Sequence, residues 1–241
     1  EQKGVANDTV VGSGPKGRVK VADVEKAVQQ PVKPSSSAAI KPDAARLATA
    51  RRVSASKHDI PHFYVTHQAD VGALTGLRTA LNAQDDRPRV SVTHMLVKAM
   101  GLALAEMPQM NRVWVNEMIL PFATTDIGMV ADTPAGLRIP VLRDVGNTDL
   151  YELAQQAKDA ADRARAGTLS PVDVGECAIS ISNVGMFGAS SLTPIINPPN
   201  AMILGVGAAQ QVFRPDATGA PKLCQELTLT LAADHRILDG A

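Results

Sequence analysis

Two hydrophobic periods alternate along most of the chain. Val71, Leu74, Leu77 and Leu81 recur at helical spacing and predict a helix over 71–83. Residues 149–166 place Leu150, Leu153, Ala157 and Ala161 on one helical face, with Asp149 and Glu152 where an N-cap and its N3 partner stand. Residues 93–107 are apolar on nearly every side and stop at Pro108, the pattern of a buried helix. A further helix is expected over 44–57, ended before Pro61. Between these lie short apolar or alternating runs that predict strands at 62–71, 111–115, 125–131, 137–142, 178–184, 201–206 and 226–231. In the last, Leu227, Leu229 and Leu231 alternate with Glu226, Thr228 and Thr230, so one face should be buried. There is no internal repeat. The mixture predicts an α+β domain over 43–241, about 200 residues built on a mixed sheet.

The first 42 residues differ. Residues 10–19 read as a Gly/Pro turn and 21–27 as a short helix with Asp23 near its start. Residues 29–42 carry three prolines, three adjacent serines and no hydrophobic period, which is the composition of a linker. Gly12, Gly14 and Gly17 satisfy the G-x-G-x-x-G spacing. A dinucleotide site needs a strand before the first glycine, a helix opening at the third and an acidic residue about 20 positions on. Here only Val10-Val11 precede, Pro15 occupies the turn, and the position twenty after Gly17 is Ser37. The glycines are expected to make a turn.

Composition narrows the class. With 24 Lys+Arg against 24 Asp+Glu the formal charge is zero, which removes the usual electrostatic case for nucleic acid or an anionic membrane. Apolar runs such as 201–209 fall short of the ~18 residues a spanning helix needs, and no secretory pattern opens the chain. Cys177 and Cys224 do not make a disulfide framework, so a reducing, intracellular setting is expected. The chain begins with Glu1 and ends at Ala241, and the expectation is a fragment of something longer.

Two segments could carry chemistry. His235 follows the amphipathic 226–231 run and stands in Asp234-His-Arg-Ile-Leu-Asp-Gly240, so it lies at a strand end with Asp234, Arg236 and Asp239 near it. Carboxylates nearby can orient an imidazole that acts as a base near neutral pH. On these residues alone, a base and a surface histidine in a charged turn both remain open. The second segment, 178–188, puts Ser180 and Ser182 on one face of a strand running into glycine turns, where a hydroxyl could donate to a developing oxyanion. No G-x-S-x-G elbow makes a nucleophile of either serine. Of the other histidines, His94 reads as a polar helix start and His58 as a surface group. His62 and His67 face opposite sides of one strand, and no metal-binding spacing is present.

Taken together these segments resemble the catalytic domain of the dihydrolipoyl acyltransferases, the E2 components of 2-oxo acid dehydrogenase complexes, closest to the pyruvate dehydrogenase acetyltransferase type. The matching stretches are Arg51-Arg52-Val-Ser-Ala-Ser-Lys57, Ile60-Pro-His-Phe-Tyr64, Asp132-Thr-Pro-Ala-Gly-Leu137, Ile181-Ser-Asn-Val-Gly-Met-Phe-Gly188, Ile195-Ile-Asn-Pro-Pro199 and Asp234–Gly240, in the family's order. Residues 1–28 resemble the second half of the peripheral subunit-binding domain that precedes this catalytic domain, although the basic helix that opens that domain has no counterpart here. The resemblance implies a chloramphenicol-acetyltransferase-like fold assembled as homotrimers and larger cores, with an active site between neighbouring subunits entered by coenzyme A and by lipoamide. It implies His235 as general base toward the CoA thiol and Ser182 as oxyanion donor. Asp239 would orient the loop carrying His235, with Arg52 as a possible ionic partner. The lipoyl group would be borne on a domain outside this chain, and the E1 and E3 components would be partners. The location would be the bacterial cytoplasm or the mitochondrial matrix. Acetyl is the expected acyl group, with branched-chain acyl and succinyl as alternatives. A non-catalytic core protein that docks partner dehydrogenases is the alternative function.

Overall fold

The structure, a computed structural model, describes residues 12–29, 40–84, 86–134 and 136–240. Two compact units divide at Pro42 and Asp43.

In the first unit the chain turns through Pro15–Gly17 into helix α1 (Val21–Gln29). The Asp23 carboxylate accepts the backbone N–H groups of Ser13 and Lys20, both at 2.9 Å, so it ties the turn to the helix start. Those two bonds hold its pKa down at about 2. A Cβ on Gly12 would stand 2.4 Å from the Gly17 carbonyl oxygen, and Gly17 itself has φ +75°. The glycines therefore serve a tight turn, as expected. Most of the linker expected over 29–42 lies outside the described residues.

The second unit contains helices α2 (Ala44–Asp59), α3 (Gly72–Leu81), α4 (Val92–Glu106) and α5 (Leu150–Ala166). Its strands are β1 (His62–Asp70), β2 (Arg112–Val115), β3 (Met118–Pro121), β4 (Ile127–Met129), β5 (Val141–Leu142), β6 (Ile179–Asn183), β7 (Met202–Val206), β8 (Gln210–Pro215) and β9 (Pro221–Asp234). One mixed sheet runs in the order β1-β9-β7-β6-β4-β5, with β8 paired to the first half of β9; β2 and β3 form a separate hairpin. The expected α+β mixed-sheet architecture is present.

The starts of α2, α4 and α5 each have a visible cause. Asp43 caps α2 through Arg46 N–H at 2.7 Å, and Asp149 caps α5 by accepting from Tyr151 and Glu152. Ser91 and His94 form a reciprocal capping box on α4, so His94 is the polar helix start that its position suggested. Small residues set the packing of α4 and α5. Ala154, Ala157, Ala160 and Ala164 line the buried face of α5 beside Leu153. A Cβ on Gly101 would stand 2.8 Å from Val145 Cγ1 and 2.9 Å from Gly146 N, so α4 can lie against this loop only with glycine there. Lys98 Nζ completes the join by donating to the carbonyls of Val145, Gly146 and Thr148.

Several strands differ from expectation. The run at 137–142 shortens to β5, with Arg138 making only an isolated bridge to Ala131. β3 and β8 were not expected. β3 exists because Asn116 and Glu117 both take left-handed φ and turn the chain back on β2. β8 is largely exposed, and its partner is the unanticipated first half of β9. The single buried face expected for 226–231 is also revised. Leu227 is buried on one face and Thr230 on the other, because side chains pack against both faces of β9: one cluster takes in Leu227 and Ala233, another Ala232 with Ile60, Ile196 and Ile203. Among the described residues no helix is long and apolar enough to cross a membrane.

Candidate active site

β9 ends at Asp234, whose N–H is held by the Ala201 carbonyl beside β7 at 2.9 Å. The chain then turns sharply around the Asp234 carboxylate, which is 2% exposed. It accepts Arg236 N–H at 3.0 Å and the Arg236 guanidinium through Nε and Nη2, the shortest at 2.7 Å. These bonds raise the Arg236 pKa and keep it cationic. The Asp234 carbonyl accepts the N–H groups of Ile237 and Leu238. From outside the loop, Arg112 donates to the Ile237 carbonyl at 3.0 Å, and Trp114 lies under the Arg236 guanidinium at 5.4 Å.

This knot presents His235. Its backbone N–H donates to the Pro61 carbonyl at 3.0 Å, and its ring packs on Phe63 with centroids 4.7 Å apart. The residue is exposed, so its position is set by the backbone and by one ring contact while the imidazole faces outward. Asp239 lies on the same loop, also exposed, at the rim of an apolar groove of about 480 Å³. Phe63, Val65 and His67 of β1 and Leu229 and Leu231 of β9 line that groove. Arg52 stands exposed on α2.

Ser182 sits elsewhere. It is half-buried near the C-terminal end of β6, opposite Gly205 of β7, which is opposite Thr230 of β9, which is opposite Thr66 of β1. Ser180, two residues back on the same face, is fully buried, and its hydroxyl has no partner among the described residues. Asn183 fixes the strand end. Its Nδ2 donates to Thr93 Oγ1 in the first turn of α4 at 2.9 Å, and its Oδ1 accepts Gly185 N–H at 2.8 Å. Beyond it, Met186 and Phe187 stand out from the turn, each 75% exposed.

The register shows that one chain does not bring His235 and Ser182 together. Ser182 is level with Thr230, two strands away and five residues before His235. At ~3.3 Å per residue and ~4.8 Å per strand the two Cα atoms lie roughly 19 Å apart. They stand at opposite ends of the sheet.

Sequence reasoning placed His235, Asp239 and Ser182 at strand ends but missed what holds them. Asp234 is the buried anchor of the loop, and its N–H acceptance two residues on is an Asx turn, a signal legible in Asp-His-Arg. The roles of Pro61 and Phe63 follow only from the pairing of β1 with β9, so no local signal could have shown them. Burial pushes the Cys177 thiol up to about 11, which keeps it protonated near neutral pH. Among the described residues no cluster of three or more His, Cys, Asp or Glu could hold a metal.

Comparison with known proteins yields one consistent family. Residues 34–241 match the model of the 2-oxoacid dehydrogenases acyltransferase catalytic domain. The whole chain is 37% identical, over 267 residues, to the mitochondrial dihydrolipoyllysine-residue acetyltransferase component of pyruvate dehydrogenase complex of Schizosaccharomyces pombe, covering 55% of that protein. It is 32% identical to the corresponding Rhizobium meliloti component, covering 62% of it. The chain thus spans about half the length of the curated relatives it matches. Among solved structures it is similar to the Azotobacter vinelandii dihydrolipoamide acetyltransferase, in which a serine, a histidine and an asparagine were investigated for their role in the catalytic mechanism. The TM-score is 0.80 and the identity 28%, over 88% of this chain and 90% of that one. It is likewise similar to the cubic core of the pyruvate dehydrogenase multienzyme complex, with TM-score 0.80 and 27% identity over 88% of this chain and 90% of that one.

Proposed function

Because the chain belongs to the 2-oxoacid dehydrogenases acyltransferase family by its catalytic domain, we propose that it moves an acyl group, acetyl first, between dihydrolipoamide and coenzyme A within the core of a 2-oxo acid dehydrogenase complex. The observation that carries this reading is the loop at 234–240. Its backbone is tied at Ala201, Pro61 and Arg112, and it leaves the His235 imidazole exposed on Phe63.

The chemistry follows from two groups. CoA brings a thiol whose free pKa is ~8.5 by analogy with cysteine, and the dihydrolipoyl thioester brings the acyl carbonyl. His235 accepts the thiol proton as the sulfur attacks that carbonyl. Ser182 donates its hydroxyl to the oxygen that becomes negative in the tetrahedral intermediate. The His235 imidazolium then returns its proton to the departing dihydrolipoyl sulfur, leaving acyl-CoA and the free thiol. Since His235 and Ser182 stand at opposite ends of one sheet, each site draws His235 from one copy and Ser182 from its neighbour, in a homotrimer that builds a larger core. The Azotobacter histidine and asparagine are four positions apart, as His235 and Asp239 are here, which supports Asp239 in orienting the loop, with a carboxylate in place of the amide.

Acetyl is favoured because the relatives are acetyltransferase components of pyruvate dehydrogenase complexes. On this reading the partners are the E1 and E3 dehydrogenase components and residues 1–28 are part of a subunit-binding domain. The lipoyl group arrives on a domain outside this chain. The location is the bacterial cytoplasm or the mitochondrial matrix; the Schizosaccharomyces pombe relative is named as mitochondrial and the Rhizobium meliloti relative is bacterial. The test follows acyl transfer to free dihydrolipoamide from acetyl-CoA, isobutyryl-CoA and succinyl-CoA on assembled protein. Turnover with acetyl-CoA at least tenfold above the others is expected. No turnover with any of them, from a folded trimer, would make the chain a docking core instead.

A further inference from the structure

His62 is absent from the chemistry above, yet its side chain links two segments that meet at the site. It opens β1 directly after Pro61, the residue that holds His235 N–H, and directly before Phe63, on which the His235 ring packs. Both of its ring nitrogens are engaged. Nδ1 is 2.8 Å from the Ile60 carbonyl oxygen, and Nε2 is 3.1 Å from the backbone nitrogen of Ile196. A carbonyl can only accept and an amide N–H can only donate. The ring is therefore neutral, with its hydrogen on Nδ1 and the Nε2 lone pair facing Ile196.

Ile196 is 1% exposed and doubly held, since Ser56 Oγ of α2 donates to its carbonyl at 2.5 Å. It belongs to a strap that crosses the sheet face between the two half-sites. The strap starts near the turn after Ser182, where Ala208 N–H bonds the Ala189 carbonyl. It then passes so close over β7 that a Cβ on Gly205 would meet the Leu192 carbonyl at 2.5 Å. It reaches His62 at the opposite end.

We propose that His62, in its neutral Nδ1–H form, is a positioning residue for His235: it clamps the strap at Ile196 to the Ile60–Pro61 corner and so fixes the carbonyl and the ring that aim the imidazole. This rests on the acyl-transfer reading. Protonation at Nε2 would set an N–H against the Ile196 N–H and leave a buried amide without an acceptor, which opens the clamp. The charged and titratable groups around His62 are few. On α2 they are Asp59, His58 and Lys57, the last donating to Tyr64. On β1 Tyr64 is the nearest, its ring 6.1 Å away. On β9 the register partner is Asp234, already engaged by Arg236. The strap from 189 to 200 contributes none.

Two variants and two readouts test this. His62→Ala should lower kcat about tenfold or more with KM within about threefold. His62→Gln, whose amide oxygen can accept from Ile196, should recover kcat to within about threefold of wild type. Hydrogen exchange read by mass spectrometry on the assembled protein supplies an arm independent of activity. Peptides covering Ile196 and His235 should lose protection together in His62→Ala and keep it in His62→Gln. A loss at Ile196 with His235 unchanged, or a Gln variant as impaired as Ala, would overturn the proposal. Absence of turnover in wild type with the exchange pattern intact would instead count against acyl transfer and leave the clamp standing.

Discussion

At one end of the sheet the loop at 234–240 is tied by a buried carboxylate, two foreign side chains and three backbone carbonyls, while at the other Ser182 stands on a strand end held chiefly by Asn183. The first end is closed within the chain and exposes one imidazole. The second is open, and beside it Met186 and Phe187 stand in solvent. On the proposed reading the first end carries the base and the second the oxyanion donor: a base must keep its geometry through proton transfer, and the backbone ties at 234–240 would fix it internally. An oxyanion donor needs only to be in place when the second reactant surface arrives, and the exposed apolar turn beside it fits an end that a neighbouring copy completes.

That contrast can be broken from either side. His235→Ala should have the largest effect, a loss of about 10²–10⁴ in turnover with trimer assembly retained by sedimentation; loss of assembly would make the residue structural. Ser182→Ala should lower kcat by about 10²–10³ with little change in KM, and an unchanged kcat would remove it from the oxyanion. Asp234→Ala should destabilise the unit by about 2–3 kcal/mol, seen as a lower midpoint in urea, because the loop loses its buried carboxylate anchor, with the Asx turn and the charge-assisted bonds to Arg236. Asn183→Ala should cost only about 1 kcal/mol in the same experiment, one side-chain link between β6 and α4. If Asn183 proved the costlier of the last two, the loop at 234–240 would not be the tighter end.

Local signals made most of the framework legible. Asp149 caps α5 and Ser91 opens α4 where polar residues precede apolar runs, and α1 to α5 follow from period and breakers. β3, β8 and the long first half of β9 were illegible, because a hairpin turned by Asn116-Glu117 and an exposed ladder of mixed polar and apolar residues carry no burial pattern. At the site, His235 and Ser182 were legible as polar groups at strand ends. Asp234 was seen only as a neighbour, and His62 only as a residue facing away from His67.

The order of residues by itself determined the helices and most of the sheet's inner strands, since hydrophobic period and caps act within a few residues, and it set the chemistry available at His235, Asp239 and Ser182. Tertiary structure alone decided that β1 lies against β9, and with it that Pro61 holds His235 and Phe63 supports its ring. It also decided that Ser182 and His235 stand two strands and five residues apart. Those outcomes depend on register between segments distant in the chain, and register is fixed by the burial of whole faces, which no local stretch contains.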